Sequence, residues 1–223
     1  MRPFYLLFAL LLINGALFAQ EKGDDKLPAI ADKLKGATAY EGFFNYHWEA
    51  RAGKVWLEVD NLGEEFLYVN SLSAGVGSND IGLDRNQLGD TRIVKFVRSG
   101  PKVLLVQPNY QYRAVSDNAD EQRSVEEAFA QSVLWGFKAG AETGDRVLID
   151  ITDFLLRDAH DVAGRLKRNK QGTYKVDAGR SAVHLERTKN FPKNSEFDAI
   201  VTFTGDAGGG YIRSVTPTPD VVT

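Results

Sequence analysis

The sequence predicts an antiparallel α+β fold, mainly an antiparallel β-sheet built as a meander of hairpins with two covering helices. Three observations carry that expectation. Apolar residues alternate with a period of two in KVWLEVD (54–60), EFLYVNSL (65–72), RIVKFVR (92–98) and KVLLVQ (102–107). Short glycine-containing connections, Asn61-Leu62-Gly63 and Ser99-Gly100-Pro101, join these runs in pairs, as antiparallel neighbours allow. The period then becomes helical in two places, after Asn118 and after Asp153.

Along the chain, MRPFYLLFALLLINGALFAQ sets Arg2 before an apolar run from Phe4 to Ile13, then Asn14-Gly15 and the small Ala19 before Gln20. That order is a secretory signal peptide over residues 1–19, with cleavage between Ala19 and Gln20. The run is shorter than the roughly 20 apolar residues a membrane span needs, so no transmembrane span is expected after signal removal. Residues 20–39 are polar and small, a flexible leader, and a β-rich domain is expected over 40–223. In the first strand Val55, Leu57 and Val59 alternate with Trp56, Glu58 and Asp60. SAGVGSNDIGLDRNQLG (73–89) falls between the two hairpins as a long connection at one end or edge of the sheet.

Asn118 followed by Glu121 resembles a capping box, and Val125, Phe129 and Val133 continue an amphipathic helix to near Gly136. RVLIDIT (146–152) reads as a buried strand, and Asp153 as the cap of a second helix with Leu155, Ala159, Val162 and Leu166 on its apolar stripe. Short extended pieces follow at 173–176 and 181–185. EFDAIVTFT (196–204) is the clearest strand, with Phe197, Ala199, Val201 and Phe203 on one face, and Gly208-Gly209-Gly210 turns into an extended YIRSVTPTP.

With 223 residues, 43% of them hydrophobic and 26% charged, the chain is long enough to bury a core of ordinary globular composition. It has no cysteine, which excludes disulfides, thiol chemistry and a lipid-modified cysteine. The formal charge of −3 becomes one unit more negative when Arg2 leaves with the signal, so nucleic acid is not an expected partner. The basic stretch RLKRNK (165–170) is read as a solvated helix end.

Phosphate chemistry fits the glycine-rich stretch poorly. Gly75 and Gly77 match the first two places of Gly-x-Gly-x-x-Gly, but Asp80 holds the third, and no lysine is present to reach a phosphate. His47, His160 and His184 include no i, i+4 pair for a zinc helix. His160, with Asp158 and Asp161, reads as a helix-surface residue, and His184 shares a strand face with Glu186. There is no Gly-x-Ser-x-Gly elbow. Asp84 with Asp90, or Asp150 with Asp153, would serve acid–base work only if buried together. The aromatic runs GFFNYHWEA (42–50) and PNYQYRA (108–114) suit a sugar or peptide groove, but core packing accounts for them without a ligand.

Five blocks in order, GLDRNQLGD (82–90), FAQSVLWGFKA (129–139), RVLIDITDFLLRDAHDV (146–162), RTKNFPKNSEF (187–197) and SVTPTPD (214–220), resemble the N-terminal domain of unknown function of large exported bacterial zinc-dependent, metzincin-like metallopeptidases. The resemblance spans about Tyr40 to Thr223. It implies a chain that is a fragment of the parent, non-catalytic by itself and without catalytic or metal residues of its own. Zinc would sit in a downstream catalytic domain of the same polypeptide, the principal partner, with a peptide as substrate. Asp84 and Arg85, on a displayed loop, become candidate contacts to that domain or to the rim of its groove. The alternative is a free-standing exported module that binds peptide or glycan. Export with cleavage before Gln20 predicts a secreted or periplasmic product whose intact mass corresponds to a chain starting at Gln20. A product retaining residues 1–19 would contradict it.

Overall fold

A computed structural model describes residues 26–223, and structure begins earlier than Tyr40. Ile30 opens a single-turn helix, α1 (Ile30–Lys33), and is buried against Trp56, Ala141 and Leu148. The Ile30 N–H donates to Thr143 Oγ1 (3.1 Å), and the Glu142 N–H donates to the Pro28 carbonyl. The expected flexible leader is therefore corrected from residue 26 onward, because its few apolar residues find a sheet face to cover. The Ala19–Gln20 cleavage position lies outside the described residues.

The chain then builds strands β1 (Thr38–Tyr40), β2 (Tyr46–Glu49), β3 (Lys54–Val59), β4 (Glu65–Leu72), β5 (Gln87–Ser99) and β6 (Lys102–Gln107). Helix α2 (Ala119–Ala128) and strands β7 (Ser132–Thr143) and β8 (Arg146–Asp150) follow. One eight-stranded antiparallel sheet results, in the order β1-β2-β3-β8-β7-β6-β5-β4. The α+β class and the predominance of antiparallel sheet are as the sequence predicts.

The Asn61–Gly63 hairpin is not formed. β3 lies between β2 and β8, whereas β4 forms the far edge of the sheet beside β5. Both ladder edges of β3 are occupied, so the short connection carries the chain across the core instead. Val55, Leu57 and Val59 from one half of the curled sheet meet Val94, Phe96, Val103 and Leu105 from the other in a single apolar cluster. β7 runs through both halves and is irregular between Ala139 and Ala141. At Gly140 the Trp56 ring takes the place a side chain would occupy, with Cζ3 2.6 Å from where a Cβ would stand.

The predicted helix from Asn118 to near Gly136 is cut short. Asn118 does cap α2, accepting from the Asp120 N–H (2.9 Å), but the helix ends at Ala128 and buries no residue. From Ser132 the chain is the long β7, with Phe137, Ala139 and Ala141 buried. Gly136 and Gly140 each disfavour helix, and pairing on both sides outweighs the local helical spacing.

The second predicted helix is two. α3 (Thr152–Leu155) is a single turn, and Asp150, not Asp153, accepts from the Thr152 N–H (3.0 Å). α4 (Val162–Arg168) starts afresh, with the Asp158 carboxylate accepting from Val162 and Ala163 (2.7 and 2.9 Å). RLKRNK does lie at the end of α4.

The remaining strands are short: β9 (Gly172–Val176), β10 (Ala182–Val183), β11 (Lys189–Phe191), β12 (Asn194–Glu196), β13 (Ala199–Ile200) and β14 (Phe203–Ala207). Helix α5 (Gly210–Val215) and strand β15 (Val221–Val222) complete the described chain. EFDAIVTFT is thus broken, because its parts pair with different partners: β12 with β11, β13 with β10, and β14 with both β9 and β15. Phe197 leaves the strand line to pack edge-on to Tyr46. The expected extended YIRSVTPTP begins as α5 instead, its Ile212 buried and its N–H held by Gln171 Oε1 (3.1 Å).

Around β9, β14, β15, α4 and α5 a second core forms from Val162, Leu166, Tyr174, Phe203, Ile212 and Val222. Its remaining large member, Leu83, comes from the glycine-rich stretch, which joins the paired strands β4 and β5 and so closes one hairpin. Leu83 and Ser78 form an isolated antiparallel bridge, and the Val76 N–H donates to the Leu83 carbonyl (2.9 Å). A Cβ at Gly75 would collide with that carbonyl oxygen. Leu83→Ala is expected to cost about 2–5 kcal/mol and Gly75→Ala about 1–3 kcal/mol, read from urea unfolding midpoints. Changes below about 0.5 kcal/mol for both would show that the loop does not hold the two cores together.

Candidate functional site

The sequence-predicted site residues scatter over the molecule. Asp84 Oδ1 accepts from the Arg85 N–H (2.8 Å), a turn within the loop itself, and Arg85 is exposed just beyond the buried Leu83. Among the described residues neither side chain forms an ion pair. Asp90 pairs instead with Arg92, so Asp84 and Asp90 serve separate structures. Asp150 binds Lys54 Nζ (2.7 Å) and Thr152 Oγ1 (2.6 Å), while Asp153 is exposed. Burial works to raise the Asp150 pKa, but the hydrogen bonds from Lys54 and Thr152 outweigh it and hold it below the usual carboxylate range.

The three histidines have three environments. His47 Nε2 lies 2.7 Å from Glu58 Oε1, and Arg146 reaches the other oxygen of the same carboxylate (2.9 Å). His184 Nδ1 lies 3.0 Å from Asp198 Oδ1, not beside Glu186 as predicted, because Asp198 is brought across by the β10–β13 pairing. His160 is not a helix-surface residue: it lies in the turn between α3 and α4 and is 6% exposed. Among the described residues, no three of His, Asp and Glu gather into a group able to hold a metal ion. No helix among them is long and apolar enough to cross a membrane.

The aromatic runs divide. Phe44, Tyr46 and Trp48 pack in or against the first core, with Phe44 edge-on to Phe66 and Phe96. Tyr112 stacks on Phe129 at 3.8 Å between ring centroids, at the outside of the fold.

One cleft, of about 450 Å³, does draw on the first run. Tyr40 and Tyr46 stack at 4.7 Å, and Glu41, Glu186, Lys189 and Asn190 complete the walls. Asn190 assembles it: Nδ2 donates to the Tyr40 and Phe44 carbonyls (2.9 and 2.8 Å), and Oδ1 accepts from Ser195 Oγ (2.7 Å). The β11–β12 hairpin is thereby fastened to the β1–β2 connection. Tyr46 OH is buried without a partner, and burial, followed by the neighbouring Tyr40, pushes its pKa up to about 12. The cleft thus offers two carboxylates, one ammonium and an aromatic face. Nothing local in residues 185–190 shows that they cross to Tyr40.

A second feature is the outer face of the β4–β5 hairpin. Leu67 and Ile93 are directly opposed, Val69 follows two residues on, and Ser71 opposes Leu88. The register irregularity beyond Val69 inserts an extra residue in β5 and turns Leu88 to the same side. Leu67 is 69% and Leu88 79% exposed, and Val69 and Ile93 are also exposed. These side chains form an apolar strip at the free edge of the sheet.

Two family models match the chain: a domain of unknown function (DUF5118) over residues 27–75 and a domain of unknown function (DUF5117) over residues 86–221. The stretch between the two matches contains Leu83. No curated protein and no solved structure matches significantly.

Tyr46 supplies a test of the cleft. The folded chain keeps the phenolic proton up to about pH 12, whereas the unfolded chain releases it near the ordinary value of 10.0. Stability therefore falls as pH rises through that window. Tyr46→Phe should be near-neutral in stability at pH 7, since the hydroxyl has no bond to lose, and should show a shallower loss between pH 10 and 12. Parallel alkaline profiles of the two proteins in chemical denaturation would refute the buried, unpartnered phenol.

Proposed function

The chain belongs to the DUF5117 family, whose model covers residues 86–221, and for it we propose the role of a non-catalytic N-terminal accessory domain of an exported zinc-dependent metallopeptidase. The apolar strip of Leu67, Val69, Leu88 and Ile93 carries the proposal. Its occupant is the catalytic domain of the same polypeptide. An exposed apolar strip beside the edge strand β4 combines two attractions for a partner: side chains that gain on leaving water, and the free backbone donors and acceptors of that edge. Full burial of one such side chain contributes roughly 1.5–3 kcal/mol, so four of them supply a useful part of a docking energy.

The metallopeptidase assignment of the parent is supported by the five sequence blocks described above, and export by residues 1–19. Zinc would be held by the catalytic domain, where it activates water. This chain's residues would wall or buttress the peptide groove. Asp84 and Arg85, carried by the connection that closes the same hairpin, are proposed as polar contacts at its margin.

The Tyr40–Tyr46 cleft favours a second role, a free-standing exported module that binds a peptide or glycan. Aromatic faces bordered by carboxylates suit either ligand.

The deciding experiment uses the polypeptide encoded by the whole reading frame. Leu67→Lys with Leu88→Lys alters only outward-facing positions, so the thermal midpoint should hold while peptide turnover falls about tenfold and protease cutting between the domains increases. Unchanged turnover and cutting would overturn docking through this face. A frame without a zinc-binding His-Glu-x-x-His helix would overturn the metallopeptidase parent and leave the binding module.

A further inference from the structure

A separate cleft of about 330 Å³ lies where the β4–β5 irregularity faces α4, and its principal walls are Asn70, Asp90, His160, Asp161, Arg165 and Arg168. We propose that it is a binding site for a small carboxylate, held by the His160 Nε2–H and the Arg165 guanidinium. The inference stands on two groups that lack the partners their chemistry calls for.

The first is the His160 ring, which is 6% exposed. Arg92 donates through Nη1 to Asn70 Oδ1 (3.2 Å). A guanidinium has only donors, so the amide oxygen must face it and the amide NH2 must face the other way. That NH2 lies 3.5 Å from His160 Nδ1, a long contact in which the ring nitrogen accepts. The ring proton is therefore on Nε2, which is buried and has no hydrogen-bond partner among the described residues. A buried donor left unsatisfied costs about 1–3 kcal/mol, and an acceptor in the cleft recovers it. Burial, then the charge of Arg165, lowers the His160 pKa, which keeps the ring neutral with its proton in this place.

The second is Arg165. Its hydrogen bond among the described residues runs from Nη1 to the Gly82 carbonyl (2.7 Å), which fixes the side chain without neutralising it. The other charges are already matched: Arg168 with Asp161 (2.6 Å) and Arg92 with Asp90. Asp158 is occupied at the start of α4. One cation without an ion-pair partner among the described residues and one neutral donor suit a singly charged, planar oxyanion. A phosphate dianion would need a second free cation, which the matched pairs do not leave. The cleft has room for a small organic acid or for the carboxyl end of a peptide.

The whole chain would be titrated at constant ionic strength with acetate, with N-acetyl-alanyl-alanine, with the C-terminal amide of that dipeptide and with inorganic phosphate. The His160 ring signals in NMR report occupancy. Saturable shifts with a carboxylate but not with the amide support the site. Acetate alone identifies small acids as the source, and a stronger response to the dipeptide identifies a peptide terminus. Arg165→Gln should weaken binding about tenfold or more. His160→Gln, which retains an N–H donor, should bind more tightly than His160→Leu, a comparison that holds even if Arg165→Gln proves unstable. No saturable shift, an equal response to acid and amide, or saturation by phosphate alone would overturn the assignment.

Discussion

The structure depends on how closely one loop backbone approaches another inside the β4–β5 connection. Because Gly75 has no side chain, the Leu83 carbonyl sits against it, the Ser78–Leu83 bridge closes, and Leu83 projects into the second core. The curled sheet and the smaller β9–β14–β15 sheet are thereby joined through apolar packing. Two polar clamps secure the same loop: Arg165 on the Gly82 carbonyl and Tyr211 OH on the Val76 carbonyl (3.1 Å). The loop from Gly75 to Leu83, which covers most of the gap between the two family matches, is thus a structural keystone, and Gly75 serves packing.

A second tie acts at the opposite end of the chain's order. Asn190 binds backbone carbonyls some 150 residues earlier, at Tyr40 and Phe44, so the late β11–β12 hairpin completes the wall around the earliest strands. Satisfied polar groups of this kind are what a buried junction requires. Against that background, the unpartnered Tyr46 hydroxyl and His160 Nε2 stand out, because each lines a cleft. Buried charge elsewhere is matched where the strands meet, as in the Arg146–Glu58–His47 chain across β8, β3 and β2. The apolar strip on β4–β5 differs in kind, being exposed surface that no described segment covers.

Much of the strand content was legible because alternation reports a pleated, half-buried surface directly, as at Val103 and Leu105, and because a continuous apolar run reports a strand buried on both faces, as at Val147–Ile149. The hairpin through Ser99–Pro101 was legible for the same reason. Where the sequence misled, the local signal was real but the pairing lay elsewhere. Val125, Phe129 and Val133 do have helical spacing, yet β6 and β8 recruit the residues from Ser132 onward into a strand. Asn61–Gly63 has hairpin chemistry, yet β3 had already used both of its edges. Neither clefts nor strip were visible beforehand, since Tyr46 meets Asn190, and His160 meets Asn70, only through contacts distant in sequence.

By itself, the sequence determined the α+β class, the cysteine-free reliance on packing, the acidic charge and the absence of a zinc-helix histidine pair, all properties of composition or of spacing within a few residues. The tertiary structure alone decided strand order, the burial of Leu83 and His160, and which donors were left without acceptors. Those outcomes depend on which distant segments exclude water from one another, and a local pattern of residues does not encode that choice.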